Sequence, residues 1–229
     1  MAHGIWFDHN FSLALHGTTS LACNIFWQRL SRVGKMPEIH LTLGTDIRGP
    51  WPQGTQVMYF GMGCFWGAEK KLWALPGVVS TAVGYMGGTV SEPTYPLVCT
   101  GTTGHSEIVL VAYDPTKISE YDLLKCFWEN HDPTQGNRQG NDVGSQYRSA
   151  VYWSTPEQEN WVRQSRDAYN SLLESKGFDS ITTELADASQ FKFWYAEEYH
   201  QQYLIKNPKG YDCHAHTGIL LPEMTALSN

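Results

Sequence analysis

The sequence contains five cysteines, Cys23, Cys64, Cys99, Cys126 and Cys213, and Cys64 is the one placed where covalent chemistry is easiest. It lies in Gly61-Met62-Gly63-Cys64-Phe65-Trp66-Gly67, between the apolar run Val57–Phe60 and a stretch of helical composition, Cys64–Leu75. Where a strand passes into a helix, backbone N–H groups are unpaired and the helix dipole favours negative charge. A thiol there is expected to have a lowered pKa and more thiolate, the nucleophilic form. Flanking glycines let another molecule come close to the backbone. Phe65 and Trp66 set aromatic surface beside the sulfur, which suits a thioether-like or methyl-bearing ligand. Taken alone, the segment fits one more buried cysteine in an aromatic core equally well.

An acid is available to such a sulfur. Gly104-His105-Ser106-Glu107 opens an expected strand, and strand alternation puts Glu107 on the same face as Val109 and Val111. A carboxylate on an apolar face should have a raised pKa and keep a proton for general acid work. A salt-bridged or edge-exposed glutamate fits this feature as well. The polar, turn-rich segment Gly140–Ser149 can project Asp142 and the Tyr147 hydroxyl into a shared pocket, or can be a turn with a tyrosine anchor.

Regular elements are needed to bring these groups together. Residues 36–55, punctuated by glycine and proline, read as an extended lead-in. Strands are expected at Val57–Phe60, Val78–Tyr85, Ser106–Tyr113, Ser149–Trp153 and Ile181–Leu185. Helices are expected at Cys64–Leu75, at Ser119–Asn130 with a Ser119/Asp122 capping box, and at Pro156–Lys176. Residues 89–104 read as a loop. The order strand–helix–strand–strand–helix–strand over 56–154 matches a split βαβ, ferredoxin-like core. The expected fold is therefore α+β, a mixed sheet under helices in a two-layer sandwich, with long loops and a C-terminal tail in coil. Three regions follow: an N-terminal extension over 1–52, a catalytic domain over 53–209, and a tail over 210–229. Residues 1–35, with Arg29, Arg32 and Lys35 against Asp8 alone, read either as a mitochondrial transit peptide or as a poorly ordered extension.

Composition narrows the partners. A formal net charge of −7 argues against nucleic acid, which needs a basic face. No apolar run approaches the ~20 residues of a membrane-spanning helix. Five thinly spread cysteines do not form a secreted disulfide framework, so a reducing compartment, the cytoplasm, is expected. A zinc reading could group Cys213, His214 and His216, with Cys126 and His131. It lacks any C-x-x-C pair, the tail reads as flexible, and no metal is expected.

The Gly63–Gly67 segment resembles the active-site motif of the class A peptide methionine sulfoxide reductases. The resemblance runs on through Gly104–Glu107, Glu129–Gln135, Gly140–Ser149 and Tyr199–Leu204, covering roughly residues 50–213. It implies that Cys64 is the nucleophile, that Glu107 is the acid, and that Tyr95 and Tyr147 hold the sulfoxide oxygen. It also implies that Asp142 is a polar pocket residue and that Phe65 and Trp66 wall the substrate methyl. His131 and His200 lie in family motifs and read as structural. Some members end in a glycine-rich tail with two late cysteines. Here Gly210-Tyr211-Asp212-Cys213 supplies one, so Cys213 is read as the resolving cysteine, beside an aspartate those tails lack.

The implied activity is reduction of methionine S-sulfoxide, free or in proteins, through a sulfenic acid on Cys64 and a Cys64–Cys213 disulfide. Thioredoxin or another external dithiol would reduce that disulfide, with no cofactor, and the enzyme is expected to be a monomer. Three other readings start from Cys64: a cysteine hydrolase pairing it with Glu107 or His105, a thiol peroxidase, and a non-catalytic redox-sensing module that binds methionines. Cys99 and Cys126, among apolar neighbours, are expected to be inert core thiols.

Overall fold

Apolar residues run almost continuously along the central strands, so both faces of the sheet need cover. The computed structural model describes residues 38–213 and 215–224, and the reading of residues 1–35 as a transit peptide lies outside the described residues. The strands are β1 (Gln56–Met62), β2 (Val78–Met86), β3 (Ser106–Tyr113), β4 (Arg138–Gln139), β5 (Asp142–Val143), β6 (Ser149–Trp153), β7 (Glu184–Asp187) and β8 (Trp194–Tyr195). Six of them form a sheet in the order β7-β6-β1-β3-β2-β8, while β4 and β5 form a separate ribbon. Antiparallel pairs join β6 to β1, β1 to β3, β3 to β2 and β2 to β8, and the β6–β7 pair is parallel. The fold is α+β with a mixed sheet.

One face of the sheet meets the helices α1 (Phe65–Trp73), α3 (Glu120–Glu129) and α4 (Pro156–Ser175). There Phe60, Val109 and Val151 sit side by side in register and pack with Leu72, Phe127 and Val162. The opposite face presents Ala82, Leu110, Ala112 and Tyr152. Ile47 and Trp51 of the lead-in, with Phe191 and Phe193, cover that side.

Local signals account for several boundaries. Ser119 caps α3 through the Asp122 backbone N–H, and the Asp122 carboxylate accepts from the Ser119 N–H. Thr155 and Gln158 cap α4 in the same reciprocal way behind Pro156. Residues 89–104 contain a helical turn that was not expected, α2 (Tyr95–Val98). The last parallel strand begins at Glu184 rather than Ile181. The Ile181 N–H donates to the Asn170 side chain and the Thr182 N–H to the Pro133 carbonyl, so neither is free to enter the ladder. The described tail residues have no regular structure but are not loose. Tyr169 donates to the Ile219 carbonyl, the Leu221 N–H donates to Glu129, and Leu221 is buried.

The helix that begins beside Cys64 is also braced by buried polar groups. Glu69 on α1 accepts from the Thr81 hydroxyl at 2.9 Å and from the Gln202 side-chain amide at 3.0 Å. Its other oxygen accepts from the Gln202 backbone N–H at 2.9 Å. His40 accepts two backbone N–H bonds at Nδ1, so its protonated Nε2 donates to Thr81 at 2.8 Å. The lead-in, α1, β2 and the Gln202 segment are joined in this way.

The entry to α1 depends on Gly63, whose φ is +88°. A Cβ added there would lie 2.6 Å from the Cβ of Gln139. Gln139 cannot swing away cheaply, because its amide bonds both the N–H and the carbonyl of Asp132. Gly63→Ala should therefore destabilise the protein by roughly 2–4 kcal/mol, from left-handed backbone plus overpacking. Urea unfolding measures it, and an unchanged midpoint would show that this turn is not held rigidly.

Candidate active site

Cys64 is the N-cap residue of α1 and is 7% exposed, the strand-to-helix position its neighbours led us to expect. The lowered thiol pKa expected for that position is not found. Burial, and then the charge of Glu107, push the Cys64 thiol well above its ordinary value. A bond from the Trp66 backbone N–H opposes them without overcoming them. Part of the reason lies one residue on. The Phe65 N–H, an unpaired donor of the first turn, is given to Glu107 Oε2 at 3.0 Å. Two acidic groups share one helix start, the Phe65 N–H going to Glu107 and the Trp66 N–H to Cys64.

Glu107 is 1% exposed and sits on the helix-facing side of β3 with Val109 and Val111. Burial pushes its carboxyl up to about 8, with the Phe65 N–H opposing and the Asp142 charge adding. At neutral pH this carboxyl holds its proton.

The phenols come from separate elements. Tyr95 opens α2, where its backbone N–H donates to Glu197 Oε1 at 2.8 Å. The other Glu197 oxygen accepts from the Tyr85 hydroxyl at 2.9 Å. Tyr147 ends the 3-10 turn Ser145–Tyr147, just before β6. Burial raises the pKa of both phenols, and the charge of Glu107 acts on each. Asp142 and Cys64 also act on Tyr147. Cys64, Glu107, Tyr95, Asp142 and Tyr147 therefore share one electrostatic neighbourhood, in which the hydroxyls remain donors.

The aromatic pair is held from behind. The Trp66 indole N–H donates to His200 Nδ1 at 3.0 Å, and its ring stacks on Tyr203 with centroids 3.8 Å apart. Phe65 is fully buried, its ring 5.1 Å from His200 and 5.9 Å from Tyr85. His200 thus orients the indole. His131 is occupied by the Phe127 carbonyl and the Ser149 hydroxyl, both at 2.7 Å. His105 bonds the Gly88 N–H and the Val90 carbonyl, so both ring nitrogens are committed to backbone and it is no base for Cys64.

Cys213 lies near the same place. Its thiol is 3.7 Å from the Gln139 carbonyl, and its charge is among those acting on Cys64. Tyr211 donates to Asp142, its hydroxyl 3.1 Å from each carboxylate oxygen. Cys64, Cys99, Cys126 and Cys213 are free thiols. Cys99 is not a core thiol as expected: it is exposed, one helical turn after Tyr95, and hydrogen-bonds that phenol. Cys126 is half-buried, its thiol pushed up to about 11 by burial. Sequence reasoning missed Glu197, Tyr211 and Gln139. Tyr211 stood two residues from Cys213 and was within reach of inspection, whereas nothing local marks Glu197 or Gln139.

Among the described residues, no group of three or more His, Cys, Asp or Glu side chains gathers to hold a metal ion. No described helix is long and apolar enough to cross a membrane. A model of the family described as peptide methionine sulfoxide reductase matches residues 56–226. A peptide methionine sulfoxide reductase MsrA of Rhodospirillum centenum is 55% identical over 190 residues, 83% of this chain and 86% of the relative. Among solved structures, methionine sulfoxide reductase A of Corynebacterium diphtheriae superposes with a TM-score of 0.71 at 45% identity, covering 83% of this chain and 94% of that one. Mxr1 of Saccharomyces cerevisiae in reduced form gives a TM-score of 0.66 at 32% identity, covering 75% and 95%. With this match across most of its length, the chain belongs to the peptide methionine sulfoxide reductase family.

Proposed function

We propose that this reductase uses Cys64 as nucleophile and Glu107 as general acid on the S epimer of methionine sulfoxide, free or in proteins. The observation that carries the reading is the buried Glu107 carboxyl, proton-bearing and bonded to the helix turn that begins at Cys64. Trp66 and Phe65 receive the methyl group, Asp142 lines the polar side, and Tyr95 and Tyr147 donate to the sulfoxide oxygen. Oxygen is a poor leaving group as a bare anion, so Glu107 gives it a proton while the phenols stabilise the developing charge. The carboxylate so formed is a base for the Cys64 proton, which matters because the thiol is not ionised at rest. Oxygen passes to Cys64, the substrate sulfur is reduced by two electrons, and Cys64 becomes a sulfenic acid.

Cys213 then attacks that sulfur. The S–O bond breaks, an S–S bond forms, and the oxygen leaves as water. An external dithiol such as thioredoxin reduces the disulfide through Cys213. A cleft of about 390 Å³, lined by Gly140, Asn141, Tyr211, Asp212, Cys213 and Ala215, supports attack at that sulfur. No cofactor enters this cycle.

We further read the chain as a monomeric cytoplasmic protein with an extension over 1–52, a catalytic domain over 53–209 and a tail over 210–229. The antiparallel order β6-β1-β3-β2 supports a ferredoxin-like reading of its core.

Cys64→Ser should abolish reduction of methionine sulfoxide, and residual turnover would refute the nucleophile. Cys213→Ser should release one methionine per enzyme and then stop, even with thioredoxin present; continued turnover would remove the resolving role. Glu107→Gln should slow the single-turnover rate by ~10²–10⁴ if proton donation limits it. Glu107 also leaves a mark on stability. Its folded pKa, about 8, lies above its unfolded value, so its stabilising protonation is complete at low pH and is lost as pH rises through about 8. The Glu107→Gln protein should unfold at higher urea than wild type at pH 8.5, with a smaller difference at pH 5. Equal differences at both pH values would mean that Glu107 is not a buried acid.

A further inference from the structure

A helix ordinarily favours alanine over glycine by about 1 kcal/mol, yet α1 keeps Gly67 in its first turn. The tail supplies the reason. A Cβ at Gly67 would lie 2.5 Å from Asp212 Oδ1 and 3.5 Å from the Cys213 carbonyl oxygen. Only a residue without a side chain leaves room for the Asp212 carboxylate against the helix, while the tail backbone beside it lies at ordinary contact distance. One turn further on, Lys70 Nζ pairs with the second Asp212 oxygen at 3.2 Å. The Asp212 side chain is 15% exposed and Lys70 53%, so the lysine reaches from solvent to a largely covered carboxylate. Asp212 is also the residue that separates this tail from glycine-rich ones.

We propose that Lys70 and Asp212 are positioning residues for the resolving step: the pair docks the tail on α1 and holds Cys213 beside the sulfenic acid of Cys64. The proposal rests on the reading of Cys213 as the resolving cysteine. Tyr211 to Asp142 and the Cys213 thiol to the Gln139 carbonyl hold the tail on either side, while Asp212 ties it to the helix that begins beside Cys64. Docking raises the effective concentration of one thiol at the other sulfur, and so acts on the second step without touching the first. The step is the condensation already described, in which Cys213 replaces oxygen on Cys64 and water leaves. Because the lysine is exposed, the bond is also sensitive to salt.

The test separates the two steps in the full-length protein. Rapid mixing with methionine sulfoxide reads methionine release, and timed alkylation with peptide mapping reads the Cys64–Cys213 disulfide. Lys70→Gln and Asp212→Asn should each release the first methionine at the wild-type rate. Each should form the disulfide about two- to fivefold more slowly, as loss of a partly exposed ion pair allows. The double variant should be no slower than the slower single variant, and high salt should slow wild type but not the variants. Wild-type disulfide rates in both variants, or fully multiplicative losses in the double variant, would overturn the docking role. Absence of a Cys64–Cys213 disulfide in wild type itself would instead overturn the resolving role of Cys213, so the two failures look different.

Discussion

The N–H of Phe65 donates to a carboxyl that has almost no contact with water, and the rest of the site is arranged around that bond. One backbone donor does not offset the cost of burying a carboxylate, so Glu107 keeps its proton at neutral pH. The same bond removes a donor that would otherwise favour a Cys64 thiolate. The site at rest therefore holds a neutral thiol beside a neutral acid. The neutral thiol is the less readily oxidised form, since it is the thiolate that reacts.

Holding such a pair requires a helix that cannot shift. The left-handed turn at Gly63 aims α1, and Leu72 and Phe65 bury its apolar face against the sheet. Glu69 adds a polar brace, joining α1 to β2, to the lead-in through His40 and to Gln202. Because the oxygens of Glu69 accept three bonds, the network is satisfied, which adds rigidity and offsets part of the cost of burying an acid. Its carboxyl is nonetheless pushed up to about 7, so this brace too is poised near neutral pH.

The walls are held by groups that do not touch the reacting atoms. Glu197 pins the start of α2, and with it Tyr95, to the Tyr85 hydroxyl on β2. His200 stays neutral, its pKa lowered to about 4 by burial, so Nδ1 accepts from Trp66. Tyr203 closes the other side of the indole. Side chains on short segments thereby gain the precision of regular elements. The exposed Cys99 beside Tyr95 shows that the rim of the site is open to solvent.

Residue type and spacing alone determined the four long strands between Val57 and Trp153, the capped start of α3, the place of Glu107 on the strand face shared with Val109 and Val111, and the place of Cys64 where β1 hands over to α1. Each depends on neighbours within a few positions, through strand alternation, helical period or capping chemistry, which is why a linear reading reaches them. Tertiary structure decided the rest. The direction of the Cys64 shift depends on how deeply a distant strand buries it and on which acid takes the Phe65 N–H, 42 positions away. The exposure of Cys99, the start of β7 at Glu184, the roles of Glu197 and Gln139, and the seat of Asp212 against Gly67 arise from segments far apart in the chain. Hydrogen bonds and burial between such segments are settled only when the chain closes on itself, and no local pattern encodes them.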